Sequence, residues 1–138
     1  MVHALCEAHR VLKPGGLLLD LRPGAVHRRI GLEVDGEYQQ VAVMEEKLDD
    51  DYAANRAVTE AIEKELFKLV SRTQVNCNRV MGLKDFDGWL SDFVNDRGVP
   101  REKLLRSVER AYAMKGSGKK IVVKGPLVLK VLMKLETL

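Results

Sequence analysis

The stretch Arg10-Val11-Leu12-Lys13-Pro14-Gly15-Gly16-Leu17-Leu18-Leu19-Asp20-Leu21 decides how the remaining residues are read. Before it, Ala4, Leu5, Ala8, Val11 and Leu12 recur at helical spacing, so residues 3–12 are expected to form an amphipathic helix. Pro14 cannot continue that helix, and Gly15-Gly16 supplies the permissive backbone that turns the chain. The run from Leu17 to Leu21 is short and almost wholly apolar, the signature of a strand covered on both faces, as in a parallel sheet. Pro23 and Gly24 end it.

Beyond that unit, Arg29 to Val43 reads as a hairpin, because Asp35-Gly36 is a strong two-residue turn signal. Counting from the turn puts Ile30, Leu32 and Val34 on one face with Val41 and Val43, and turns Glu33, Tyr38 and Gln40 outward. Asp49-Asp50-Asp51 supplies caps and favourable charge at a helix start. The helix predicted next spans Tyr52 to Val70, with Val58, Ala61, Ile62, Leu66, Leu69 and Val70 as its stripe. Residues 73–81 are a modest strand, with Val75 and Cys77 on one side. A third helix carries Leu83, Phe86, Trp89, Leu90 and Phe93 as core. Gly98 and Pro100 break the chain, and a fourth helix buries Leu104, Leu105, Val108, Ala111 and Tyr112. From Lys120 onward the pattern is a long strand: Ile121, Val123, Leu127, Leu129, Val131, Met133 and Leu135 share one parity, with Lys124, Lys130 and Lys134 on the other. Pro126 lacks an N–H and should mark a bulge or an edge.

These elements predict one domain over residues 1–138, α/β or α+β, with about four helices and a mixed sheet of about three to five strands including a hairpin. A chain of this length buries enough surface for a real core. Neither apolar run is suited to cross a bilayer, no secretory signal is recognisable, and the two cysteines are too few and too distant for a disulfide framework, so a cytoplasmic protein is expected. The net charge of +3 hides an asymmetry: residues 1–100 hold 13 Lys and Arg against 17 Asp and Glu, residues 101–138 hold 10 against 3. The basic lysines run along a helix and a strand with only Tyr112 as an aromatic neighbour, which describes a solvated face better than a nucleic-acid footprint.

The run from Glu7 to Asp20 resembles the segment of class I S-adenosylmethionine-dependent methyltransferases that leads from the fourth helix into the fifth strand. Arg10, Val11, Leu12, Lys13, Pro14, Gly15, Gly16 and Asp20 carry the likeness, which covers about the first tenth of the chain; the rest is compatible in element order. The resemblance implies the carboxyl-terminal half of such an enzyme, an incomplete Rossmann-like fold. Donor-binding segments lie ahead of this unit in the family, and almost nothing precedes Arg10. The chain is therefore expected to bind no cofactor alone, S-adenosylmethionine being the family's donor, and to be inactive in isolation. No cofactor-binding residue is transferred. The alternative from another class is a dimerising interaction module, since a fifth-strand equivalent without its neighbours leaves an apolar edge. The expected partners are accordingly a second copy or the missing amino-terminal half.

Asp20, Arg22 and His27 fall at and just after the carboxyl end of the predicted strand, where open α/β sheets bind ligands. Asp20 or His27 could orient or deprotonate a nucleophile while Arg22 holds an anion. The competing account is a strand-end ion pair beside a solvent-exposed loop histidine. The catalytic residues stay unassigned, and no metal site is expected, because His3 and His9 do not share a helical face and the aspartate run lacks calcium-loop spacing. Cys77 reads as a structural thiol. Lys115 to Lys120 fails the phosphate-loop pattern, with Ala113 at the first glycine position and Lys120 at the hydroxyl position. It reads instead as a helix cap leading into a strand.

Overall fold

The structure, a computed structural model, describes residues 1–114, 116 and 118–136, with the side chains of residues 93–97 outside that description. Among the described residues the order is α1 (Val2–Val11), β1 (Leu17–Pro23), β2 (Arg28–Val34), β3 (Glu37–Met44), α2 (Asp49–Glu63), β4 (Phe67–Met81), α3 (Leu83–Arg97), α4 (Arg101–Tyr112) and β5 (Lys120–Lys134). Four helices and one five-stranded sheet make a mixed α/β protein, as the patterning implies. The sheet runs β1-β5-β2-β3, and β4 also pairs with β5. The registered ladders are all antiparallel, which corrects the expected mixed sheet and gives no support to the Rossmann-like arrangement, whose strands run parallel. Last in sequence, β5 is the strand that β1, β2 and β4 share.

Residues cluster into two compact groups that interleave along the chain: residues 1–25, 49–75 and 126–138, and residues 26–48 and 76–125. In the first, Leu5 of α1, Ala57, Val58 and Ala61 of α2, Phe67 of β4 and Leu132 of β5 form the core, with Leu18 of β1 packed against it. Three hydrogen bonds tie the Pro-Gly-Gly turn to the end of β5. Gly15 N–H donates to Lys134 O at 3.1 Å, Lys134 N–H to Gly16 O at 2.9 Å, and Lys134 Nζ to Leu12 O at 2.7 Å. Gly15 has a φ of 76°, the conformation the turn asks of glycine.

The doubly covered strand expected at Leu17–Leu21 is not found. Leu18 faces the helices, but Leu17, Leu19 and Leu21 are 55%, 64% and 61% exposed. One face of β1 is bare, because both helices of this group pack on the other.

The second group is built on the hairpin. Asp35 and Gly36 both take positive φ, 52° and 82°, the pairing a tight β-turn of this twist requires. Ile30, Leu32 and Met44 meet Phe86, Leu90, Leu104 and Val108 from α3 and α4 and Ile121 and Val123 from β5. A register shift between Ile30 and Gly31 breaks the alternation counted from the turn. Ile30 pairs with Ala42 instead of Val41, so Met44 is buried while Val43 turns out, 45% exposed. Val41 stays partly buried against the core. Phe93, expected on the apolar face of α3, lies outside the described side chains.

The long helix ends at Glu63 and not at Val70. Glu65 adopts a left-handed φ of 57°, and β4 begins at Phe67, so Leu69 and Val70 lie exposed on a strand. β4 is longer than expected, and its residues 68–80 are all exposed. Gly98 closes α3 with a left-handed φ of 62°. Pro126 sits where β5 changes partner: residues 120–124 pair with β2 and residues 127–133 with β1. The missing N–H thus falls in the gap between those two ladders, neither at an edge nor in a registered pair.

Candidate functional site

Asp20 and Arg22 stand two apart on β1 and therefore side by side on one face. Arg22 Nε donates to Asp20 Oδ1 at 2.7 Å and its Nη2 to Asp20 Oδ2 at 2.9 Å, a bidentate pair in which the aspartate side chain is 10% exposed and the arginine 22%. Lys130 of β5 lies directly across from Asp20 in the antiparallel register. Burial pushes the Lys130 ammonium below the ordinary lysine range, and the Arg22 charge pushes it further; Asp20 acts the other way. With each carboxylate oxygen held by an arginine N–H, Asp20 serves as the structural counter-ion of Arg22.

His27 is exposed and precedes β2. The Glu46 N–H donates to its Nδ1 at 3.0 Å, while the buried Glu46 carboxylate takes Arg28 Nη1 at 2.5 Å and Arg28 N–H at 3.3 Å. The His27 Nδ1 is thus occupied as the acceptor of a backbone N–H. Asp20 and Arg22 belong to the first compact group and His27 to the second, and each is engaged within its own. The residues thus take the form of a strand ion pair and an exposed histidine bonded to a neighbouring backbone.

Lys119 Nζ donates to Tyr112 O at 2.8 Å and also to Met114 O, capping the last carbonyls of α4, as expected for a helix end leading into a strand. Lys115 and Ser117 of that segment lie outside the described residues. Cys6 and Cys77 are both free and exposed, so Cys77 is not the packed thiol expected. Among the described residues no group of His, Cys, Asp and Glu is arranged to hold a metal. No helix of the described residues is long and apolar enough to cross a membrane.

Two depressions were not anticipated. A narrow one of about 70 Å³ between α1 and α2 is lined by Leu5, Cys6, Ala57, Ala61 and Leu66, and is far smaller than the usual small-molecule site. An open one of about 560 Å³ lies along α3, with Trp89 as a flat apolar wall, Arg79 and Lys84 bringing positive charge and Asp85 and Asp92 negative. Its signal was in the spacing, since Asp85, Gly88, Trp89 and Asp92 share one helical face. Trp89, expected in the core, packs against it while half-buried, leaning on Phe86 with ring centroids 6.0 Å apart. The narrow depression also has Glu60 and Lys64 in its wall beside Cys6. Comparison with family models, curated proteins and solved structures gave no match.

Proposed function

We propose that this chain is the scaffolding, carboxyl-terminal portion of a class I S-adenosylmethionine-dependent methyltransferase fold, and that it is inactive until a donor-binding half joins it. The observation that carries this reading is the run Arg10–Asp20, which resembles that family and folds as helix, glycine turn and strand, with the turn bonded to the final strand. The bare leucine face of β1 supports it too, because a sheet in a transferase of this kind carries layers on both sides. On this reading the antiparallel ladders are one margin of a larger sheet, whose parallel strands the donor-binding half supplies. Methyl transfer is an in-line displacement that depends on holding donor and acceptor together. The reading assigns the chain to the cytoplasm, where the exposed thiols of Cys6 and Cys77 stay reduced.

Calorimetry with S-adenosylmethionine tests it: the purified chain is expected to give no heat of binding, and micromolar affinity would overturn the reading.

A further inference from the structure

We infer that β1 is a self-association edge, pairing antiparallel with β1 of a second copy of this chain. Three strands of the sheet present an outer edge among the described residues, and they differ in chemistry. β3 offers Glu37, Tyr38, Gln39 and Gln40 beside Val43; β4 intersperses its exposed Leu69, Val70, Val75 and Val80 with Lys68, Arg72, Asn76, Asn78 and Arg79. Polar and cationic side chains of this kind discourage strand addition. β1 carries none on its bare face. Leu17, Leu19 and Leu21 are each more than half exposed, and their partners across β5, Met133, Val131 and Leu129, are only half-buried on the same face. The result is a continuous apolar patch beside a row of free backbone donors and acceptors.

The sequence of the strand identifies what fits it. In antiparallel addition centred on Leu19, Leu17 faces Leu21 of the second copy, Leu19 faces its own counterpart, and Leu21 faces Leu17. Asp20 then lies opposite Leu18 and Arg22 opposite Gly16, so no like charges meet. Centring on Asp20 sets two aspartates against each other, which is destabilising, and centring on Leu21 spends Leu19 on Pro23. The Leu19 register is thus the one that joins three leucines from each copy without an electrostatic conflict. A seven-residue strand and this patch fall at the small end of specific interfaces, below about 1,200 Å² in total. The dimer is therefore weak and reversible. It rests on the strand's edge and its leucines, the same edge that a donor-binding half would take on the methyltransferase reading, so a second copy and that half compete for it.

Site-directed crosslinking tests it in a chain carrying Cys6→Ser and Cys77→Ser. Under mild oxidation Leu19→Cys alone is expected to give a covalent dimer. Leu17→Cys alone and Leu21→Cys alone should give little, and the two mixed should give a linked heterodimer. Sedimentation velocity of the unmodified chain from micromolar to several hundred micromolar should show a monomer passing to a dimer. Leu19→Lys, an exposed change whose fold is checked by circular dichroism, should weaken the dimer by more than about tenfold. A monomer throughout that range would overturn the proposal and leave the face to a different polypeptide. Crosslinking by Leu17→Cys alone as efficient as by Leu19→Cys, or a dimer unmoved by Leu19→Lys, would also overturn it.

Discussion

Lys130 shows how one side chain can be held at a cost. It lies across from Asp20, half-buried, beside an arginine that already claims both oxygens of that carboxylate. Its pKa is depressed from 10.5, first by burial and then by Arg22, so between the folded and the unfolded value the unfolded chain binds the extra proton. Stability therefore rises with pH across that window, and below it the penalty of the buried charge is felt in full. Lys130→Met keeps the length of the stem and removes the charge. It is expected to raise the melting temperature at pH 7, with the gain shrinking as the pH approaches 10.5. Thermal scans of both proteins across pH 7 to 10 check this, and a gain that grows with pH would contradict the assignment. The Asp20–Arg22 pair was legible from its spacing alone. The arrival of Lys130 depends on a register across more than a hundred residues, which no local pattern encodes.

Among the elements, the hairpin separates what local chemistry specifies from what packing decides. Asp35-Gly36 announces the turn, and the turn forms where expected. The bulge at Ile30/Gly31 gives no sign in the sequence, yet it exchanges Val43 for Met44 in the core. Gly31 is needed there for close approach. A Cβ would meet the Tyr38 ring and stand 2.6 Å from the backbone oxygen of Gln39. The ring can swing only by leaving Lys124 Nζ, 3.7 Å from its centroid, and the carbonyl cannot move without the strand. Gly31→Ala should therefore cost about 1–3 kcal/mol in urea unfolding with an unchanged m-value. A neutral result would mean that the bulge relaxes freely. The end of α2 was missed for a related reason. The helical stripe of Val58, Ala61, Ile62 and Leu66 runs on to Leu69, and only a left-handed Glu65, a residue with little preference for that conformation, breaks it. Phe67 is drawn into the core of the first group, and tertiary burial overrides the periodicity. β1 was misread in the opposite sense. Its composition suggests two buried faces, and the structure covers one.

At the scale of the whole molecule, the proposed pairing through β1 would make stability depend on concentration. If β1 pairs between copies, association is linked to folding by mass action, and the melting temperature should climb as the chain is concentrated through the micromolar range. Calorimetric scans at several concentrations read this directly. A transition independent of concentration in the unmodified chain would tell against the pairing, and Leu19→Lys should flatten the dependence. Element order, helix number and strand number were all accessible from patterning, because each depends on local periodicity. The sense of the ladders was not, because antiparallel pairing here is set by a strand that arrives late.

That lateness has a consequence for how the protein is made. β1, β2 and β4 have their common partner only once residues 120–134 have been synthesised. On the ribosome the hairpin can close early, but the sheet cannot, and β1 waits without its partner strand until β5 has emerged. Such delayed, long-range closure is slow and exposes the nascent chain to misassociation. Removing the last strand would therefore deprive every earlier one except β3 of a neighbour at once.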